Sequence, residues 1–397
     1  MRIAYFSDNF FPEITGIADS IITTGEELKA RGHEILYVAP RYSEHDYGVV
    51  DFADKDKSAI HRERKNLRTF RLSSMPMKGS PTGQSRIVIP FGQSIFYLKE
   101  FKPHILHTQS PFGTGLEALW ASRRLKIPLV GTNHTPIEEF IGYVRVAGNL
   151  PALMARRFFA WYYNRCEFVT APYQGLIDDM RAVGFKKNAR ALPNPIPTNV
   201  FRLASGEEKA TAKKRRDLQG SVILYSGRLA PEKHIDVIIR AVANISAKHP
   251  VTFVVTGHGV AEEYLRALAR ELHIEEAVRF TGFVGFERLA EFYRAADIFA
   301  ILSTAETQSL ALMQAYASGL PAIAARARGL VHYVPEGVGF LVEPGNVEEL
   351  SEKLVALLAD AKLREQMGKS GHAFVSQCSP RMIADAWERI YKEHARP

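Results

Sequence analysis

Two cysteines, Cys166 and Cys378, are all that the 397 residues contain. So few, far apart and without metal-ligand spacing, exclude a disulfide framework and a zinc module and suit a reducing cytoplasm. No cofactor and no metal is expected. The chain also lacks any apolar run approaching the ~18 residues of a spanning helix. Met1-Arg-Ile-Ala-Tyr-Phe-Ser-Asp8 runs straight into a strand pattern, without the organisation of a signal peptide. Membrane contact is therefore expected to be peripheral. Acidic residues are in deficit, 43 against 51 Lys and Arg, for a net charge of +8 and a pI near 9.3. Such a surplus suits nucleic acid, an anionic membrane or an anionic ligand. No RNA-binding or helix-turn-helix signature accompanies it, and the basic residues are dispersed except at Arg62–Arg71, Arg156–Arg165 and Lys209–Arg216. Nucleic acid is the weakest of the three partners.

What is present is a chain too long for one ordinary core, so two domains are the natural reading. Its organising stretch is Ser303-Thr-Ala-Glu306-Thr-Gln-Ser-Leu-Ala-Leu-Met-Gln314-Ala-Tyr-Ala-Ser-Gly319-Leu-Pro321. The apolar run Ile298–Leu302 before it reads as a buried strand, and Pro321–Ala324 reads as the next. Between them lie a polar loop, Ser303 to Ser309, and a helix, Leu310 to Ser318, stopped by Gly319 and Pro321. Glu306 thus stands at the mouth of a parallel sheet, just before a helix N-terminus. The free N–H groups of Thr307, Gln308, Ser309 and Leu310 there favour an anion such as a diphosphate. The same carboxylate also fits as a plain complement to the helix dipole.

The stretch resembles the acidic motif of the retaining glycosyltransferases of family 4, which have the GT-B fold of two Rossmann-like domains facing across a cleft. In that motif a loop Glu is followed eight positions later by a second Glu. The resemblance implies that Glu306 holds hydroxyls of the donor sugar and that position 314 holds the ribose. Here that position is Gln314, which keeps an acceptor oxygen and loses the charge, so a charge-assisted contact becomes a neutral one.

The rest of the chain follows the same resemblance over essentially its full length. Arg2–Ser7, the helix ending at Arg31-Gly32 and His33–Ala39 make a strand-helix-strand unit. Gly16 stands in the first loop, where relatives carry a Gly-Gly pair near the donor phosphate or the acceptor; a plain turn is the alternative. Tyr42 to Arg68 reads as an exposed charged insertion, and Met75–Gly83 as loop. His107 and His134 end two strands, at the edge of a parallel sheet where ligands lie. The resemblance gives His134 to the sugar. Pro151–Arg165 mixes arginines with Phe158, Phe159, Trp161, Tyr162 and Tyr163. That composition fits an interfacial membrane helix, although aromatics on nearly every face favour a core helix with snorkelling arginines. Leu192–Pro197 reads as the connector.

The second domain opens with Ser221–Ser226, Gly227 and then Arg228 and Lys233, two cations suited to a pyrophosphate. The family's Gly-Arg…Lys pattern implies that they neutralise the diphosphate. His234 stands where Gly or Asn is commoner. Gly257 and Gly282 close later strands, and Gly282-Phe283-Val284 resembles the segment that reads the nucleobase. The last helix, from Pro380, is expected to cross back onto the first domain.

These residues define an α/β chain with an acceptor-side domain, 1–195 plus 380–397, and a nucleotide-sugar domain, 196–379. The expected activity is metal-independent transfer, with retention, of a hexose from a UDP-glucose-like or GDP-mannose-like donor to an acceptor hydroxyl. Departure of the diphosphate would rest on Arg228, Lys233 and the helix N-terminus. The segment Asn133–Tyr143 with Glu306-Thr-Gln308 looks most like members that glycosylate diacylglycerol-type lipids, and a basic chain on the inner face of an anionic membrane agrees with that. A soluble or cell-envelope carbohydrate acceptor is the alternative enzyme. A silent sugar-nucleotide-binding subunit is the alternative without catalysis.

Overall fold

The computed structural model describes all residues except 14, 54–63, 65, 78–82, 90–91, 136–148 and 397. These fall into two compact units, one built from Met1–Phe52, Ala59–Pro195 and Pro380–Pro397, the other from Ile196–Ser379.

In the first unit seven strands form one parallel sheet: β1 (Arg2–Phe6), β2 (Glu34–Pro40), β3 (Thr69–Leu72), β6 (Ile105–Thr108), β7 (Leu129–Thr132), β8 (Phe168–Ala171) and β9 (Ala189–Ala191). Their order is β3-β2-β1-β6-β7-β8-β9. A parallel sheet must bury both faces, and β1 shows how alternation does so. Ala4 and Phe6 face one core with Leu36, Leu106, Phe159 and Tyr163; Ile3 and Tyr5 face the other with Ile21, Trp387 and Tyr391. The helix Asn149–Tyr163 covers the first face, while Gly16–Ala30 and the chain's last helix, Pro380–His394, cover the second. Burial of Phe159, Tyr162 and Tyr163 agrees with the core reading of that segment, yet Met154 and Trp161 on the same helix are exposed.

The second unit holds β10 (Ser221–Ser226), β11 (Val251–Thr256), β12 (Val278–Gly282), β13 (Ile298–Ile301), β14 (Ala322–Ala325) and β15 (Gly339–Val342). They too are parallel, in the order β12-β11-β10-β13-β14-β15. In both sheets the order reverses beside the first strand, which is the doubly wound arrangement with its ligand edge at the strands' C-terminal ends.

Two local expectations need correction. Part of Tyr42–Arg68 is the helix Glu44–Ala53, with Tyr42 and Asp46 buried rather than exposed; Asp46 accepts hydrogen bonds from Ser43. Part of Met75–Gly83 is strand: β4 (Ser74–Pro76) pairs antiparallel with β5 (Arg86–Val88), and Pro76 sits at the strand's end, where its missing N–H costs nothing. The charged run from Glu207 is the helix Gly206–Arg215, and its cations are used internally. Lys209 and Lys213 reach Asp297 at 2.7 and 2.8 Å, and Arg216 reaches Glu291. The rest of the Tyr42–Arg68 insertion and of the Met75–Gly83 loop lies partly outside the described residues. No described helix is long and apolar enough to cross a membrane.

Candidate functional site

The turns after β10, β11 and β12 are stitched together by their backbones. Gly227 N donates to Thr256 O at 3.1 Å and Gly257 N to Gly282 O at 2.9 Å. Gly257 has φ +125, and a Cβ there would lie 1.9 Å from Gly227 O. Only glycine fits such a place. In the segment that follows Gly282, Phe283 is half-buried and Val284 buried.

Beside the floor lie the two cations. Arg228 Nη2 donates to Glu232 Oε1 at 2.6 Å. Lys233, at the end of a single 3-10 turn, donates from Nζ to Glu306 Oε1 at 2.7 Å and to Ser303 Oγ at 3.3 Å. Burial, the largest single influence, pushes the Glu306 carboxyl upward, but the Lys233 ammonium, the Ser303 hydroxyl and the Arg228 charge together outweigh it and hold the pKa below the usual carboxylate range. Glu306 is ionised at neutral pH. The loop carrying it is braced from two sides. Thr304 N donates to Glu232 O at 3.1 Å. Gly329 N donates to Glu306 O at 3.0 Å, and a Cβ on Gly329 would lie 1.9 Å from Thr307 O. His234, in the left-handed region at φ 49, brings its Nε2 to 3.4 Å from Thr304 Oγ1.

The helix after this loop runs Leu310–Ala317, capped by Ser309, whose side chain accepts from Leu312 N. Gln308 and Ser309 are buried, and so is Gln314, one face along the helix. One unit therefore brings Gly227, Arg228, Lys233, Gly257, Gly282, Glu306 and the 307–310 helix start to the strand ends of one sheet, with Gln314 further along that helix. Two cations, an ionised carboxylate, a backbone floor without side chains and a helix N-terminus can hold a phosphorylated polyol.

The other candidates belong to the first unit. His134 follows β7 and is buried; its Nε2–H donates to Gln109 Oε1 at 2.7 Å, leaving the lone pair on Nδ1. Burial lowers its pKa to about 4, so the imidazole is neutral at pH 7. His107 is neutral for the same reason, desolvation acting first and the neighbouring His134 second. It sits between Tyr391 Oη at 2.7 Å and Thr132 Oγ1 at 2.8 Å. A cavity of about 20 Å³, room for one or two waters, lies against His107, Gln109, His134, Asn194 and Trp387. Gly16 is exposed at the first position of its helix, with Thr15 as the cap. Residues 136–143, on which part of the lipid-acceptor expectation rests, lie outside the described residues.

Sequence reasoning passed over Glu232, Gln109 and Asp8. The first is legible only once Arg228 is seen to need a counter-ion in the same turn. Gln109 was in plain view two residues beyond His107. Asp8 is held by Ser110 and accepts from Thr114 N at 2.8 Å, so it caps the helix Gly113–Leu125 from another strand, which spacing along the chain does not reveal.

Comparison with known proteins gives this geometry its lineage. A family model described as "Glycosyltransferase Family 4" matches residues 14–200 and one described as "Glycosyl transferases group 1" matches 206–374. The chain is 29% identical to an alpha-monoglucosyldiacylglycerol synthase of Streptococcus pneumoniae, over 82% of this chain and 71% of that protein. It is 28% identical to a GDP-mannose-dependent alpha-mannosyltransferase of Corynebacterium glutamicum, over 92% and 83% of the two chains. Among solved structures, HepE of Anabaena in complex with UDP superposes with a TM-score of 0.79 at 19% identity, covering 99% of this chain and 100% of that one. Two parallel Rossmann-like sheets, matched by family along nearly the whole sequence, make this chain a family 4 glycosyltransferase with the GT-B fold.

Proposed function

We propose that the protein transfers a hexose from a nucleoside-diphosphate sugar to the hydroxyl of a membrane glycerolipid, with retention and without a metal. The observation that carries the donor half is the Lys233–Glu306 pair at 2.7 Å beside Arg228. A cation for the diphosphate and a carboxylate for the sugar are already adjacent there. In the structure each neutralises the other. When the donor enters, its phosphates take over Lys233 and Arg228, and the sugar hydroxyls take over Glu306 as charge-assisted donors. Gln314 receives the ribose, and Gly282, Phe283 and Val284 the base. The N–H groups of Thr307–Leu310 face the β-phosphate. As the glycosidic bond breaks, charge grows on that phosphate, and the two cations with the helix N-terminus stabilise it more than they stabilise the bound donor. His134, neutral, is assigned to the transferred sugar as a hydrogen-bond partner rather than a proton source. In this reading Ile196–Ser379 is the nucleotide-sugar domain, and the remaining unit, with Gly16 at the start of its first helix, serves the acceptor.

The lipid acceptor draws its support from the diacylglycerol-glycosylating relative and from the basic balance of the chain. Incubation with labelled UDP-glucose or GDP-mannose and diacylglycerol-containing vesicles tests it. A labelled lipid with the α configuration supports the reading, while label appearing only in water-soluble glycoside overturns the lipid half. The mannosyltransferase relative favours a second reading at the donor, with GDP-mannose replacing UDP-glucose, and the same assay separates the two.

A further inference from the structure

The chain's exposed large apolar side chains are unevenly distributed. Met75, Met77, Ile87, Ile89, Phe96, Trp120, Leu153, Met154 and Trp161 all fall between positions 75 and 161 of the first unit. Scattered surface hydrophobics need no explanation, but a contiguous group does. Contacts link the elements that carry most of them. Met75 and Ile87 are cross-strand partners in the β4–β5 hairpin. The end of β5 lies against the start of the helix Gly113–Leu125, where a Cβ on Gly113 would sit 2.3 Å from Val88 O. Two turns along that helix, Trp120 packs on the turn that starts the helix Ile95–Phe101: a Cβ on Gly92 would be 3.0 Å from Trp120 Nε1 and 3.4 Å from Ile95. Phe96 extends from that helix 81% exposed. The helix Asn149–Tyr163 packs on the helix Gly113–Leu125, Tyr162 Oη donating to Gly115 O at 2.8 Å, and beside it the Arg165 guanidinium stacks on the Trp161 ring at 3.8 Å. Trp161 in turn stacks on Phe158, with Met154 one turn further along the same helical face.

Each helix that presents an apolar group presents cations beside it: Lys99 near Phe96, Arg123 and Arg124 three and four positions after Trp120, Arg157 between Met154 and Trp161. Among the described residues of the hairpin and these three helices, Glu100 is the one exposed acid, since Glu117 is fully buried and accepts from Gly92 N and Ser94 N. Met, Trp and Phe interleaved with Arg and Lys, almost without acid, match the boundary between acyl chains and anionic headgroups.

We propose that this face, formed by the β4–β5 hairpin and the helices Ile95–Phe101, Gly113–Leu125 and Asn149–Tyr163, docks the protein on an anionic bilayer. Phe96, Trp120 and Trp161 enter the interface and the arginines meet the headgroups. The proposal deepens the glycerolipid reading, because a docked enzyme meets its acceptor where the acceptor resides.

Co-sedimentation of the full chain with phosphatidylglycerol-containing vesicles and with pure phosphatidylcholine vesicles tests it. Wild type is expected to bind the anionic vesicles at least tenfold more tightly than the neutral ones, and the combined variant Phe96→Ser/Trp120→Ser/Trp161→Ser to lose about tenfold or more. Because all three side chains are exposed, the variant should keep the wild-type thermal midpoint and its affinity for nucleoside diphosphate; the charge-side variant Arg123→Gln/Arg124→Gln gives a second reading of the same face. Wild type bound equally by both vesicles, or not at all, overturns the proposal. So does a variant that still binds like wild type, and so does a variant that turns a dimer into a monomer, which would give the face to a second copy. Vesicle binding without lipid glycosylation fails the acceptor reading and leaves the docking face standing.

Discussion

Arg228 and Glu232 lie four residues apart, and the bond between them occupies the very cation assigned to the diphosphate. Glu232 therefore competes with the donor. A partly exposed pair of this kind is worth roughly 0.2–1 kcal/mol, so Glu232→Gln should lower the donor KM roughly two- to fivefold with little change in kcat. A raised KM would show that Glu232 only orders the turn. Gln314 calls for the opposite kind of change. Restoring a carboxylate by Gln314→Glu exchanges a neutral hydrogen bond for a charged one, and titration calorimetry should show the nucleotide bound roughly five- to tenfold more tightly. An unchanged affinity would mean that the ribose is held elsewhere. At His134 the consequence is a pH dependence. Its folded pKa of about 4 lies below the unfolded value near 6.5, so between those values the unfolded chain binds the extra proton. Stability from this group is full above the unfolded pKa and is lost as pH falls toward 4. The shift amounts to about 3 kcal/mol. The gap between denaturation midpoints at pH 4.5 and 7 should narrow in His134→Gln, with His107 accounting for part of what remains, and an unaltered gap would contradict the assignment. Arg228 and His134 were legible from sequence because each follows a strand at the ligand edge, and Gln314 because it stands eight positions after Glu306. Their partners were not, because Glu232, Gln109 and Asp8 act through side-chain geometry that no spacing encodes.

At the scale of the element, the strand-loop-helix unit from Ile298 to Pro321 was readable in full, since a buried apolar run, a polar loop and a Gly-Leu-Pro stop leave little choice. The hairpin β4–β5 was not readable, being three residues a side with Pro76 in it. Nor was the helix Glu44–Ala53, whose mixed charges conceal the buried Asp46. The helix Ala361–Val375 went unremarked because it packs mainly through Met367, Gly368, Gly371 and Val375, a weak apolar stripe. The glycine turns were individually weak signals, and their meaning emerged from the backbone contacts between them. Those contacts make a direct test. In Gly257→Ala the new methyl meets Gly227 O in a backbone conformation that disfavours alanine, and a loss on the order of 3 kcal/mol follows. Urea unfolding should show it together with lost nucleotide binding; a stable variant that binds normally would mean that the floor tolerates a side chain.

For the whole molecule, the parallel sheets and their order follow from alternating strands and helices, and the family matches reach from residue 14 to 374. The return of the last helix to the first unit was an expectation drawn from the family resemblance. In the structure it rests on Arg31 bonded to Asp385 at 2.6 Å, on Trp387 and on Tyr391 buried against His107. The surplus of positive charge, uninterpretable as a total, includes cations paired internally, such as Lys209, Lys213 and Arg216, and exposed ones, such as Arg123, Arg124 and Arg157, beside the exposed apolar side chains of the first unit. The central claim remains the donor site around Lys233 and Glu306. Its most direct test is a thermal-shift panel of UDP, GDP and ADP with their hexose conjugates, run on wild type, Lys233→Ala and Glu306→Ala. A ligand at ~100 times its dissociation constant adds roughly 2.7 kcal/mol of stability. The account predicts that one nucleotide and its sugar raise the wild-type midpoint, that Lys233→Ala loses the shift for both, and that Glu306→Ala loses only the part due to the sugar. No shift by any of them, or shifts that survive both substitutions, would contradict it.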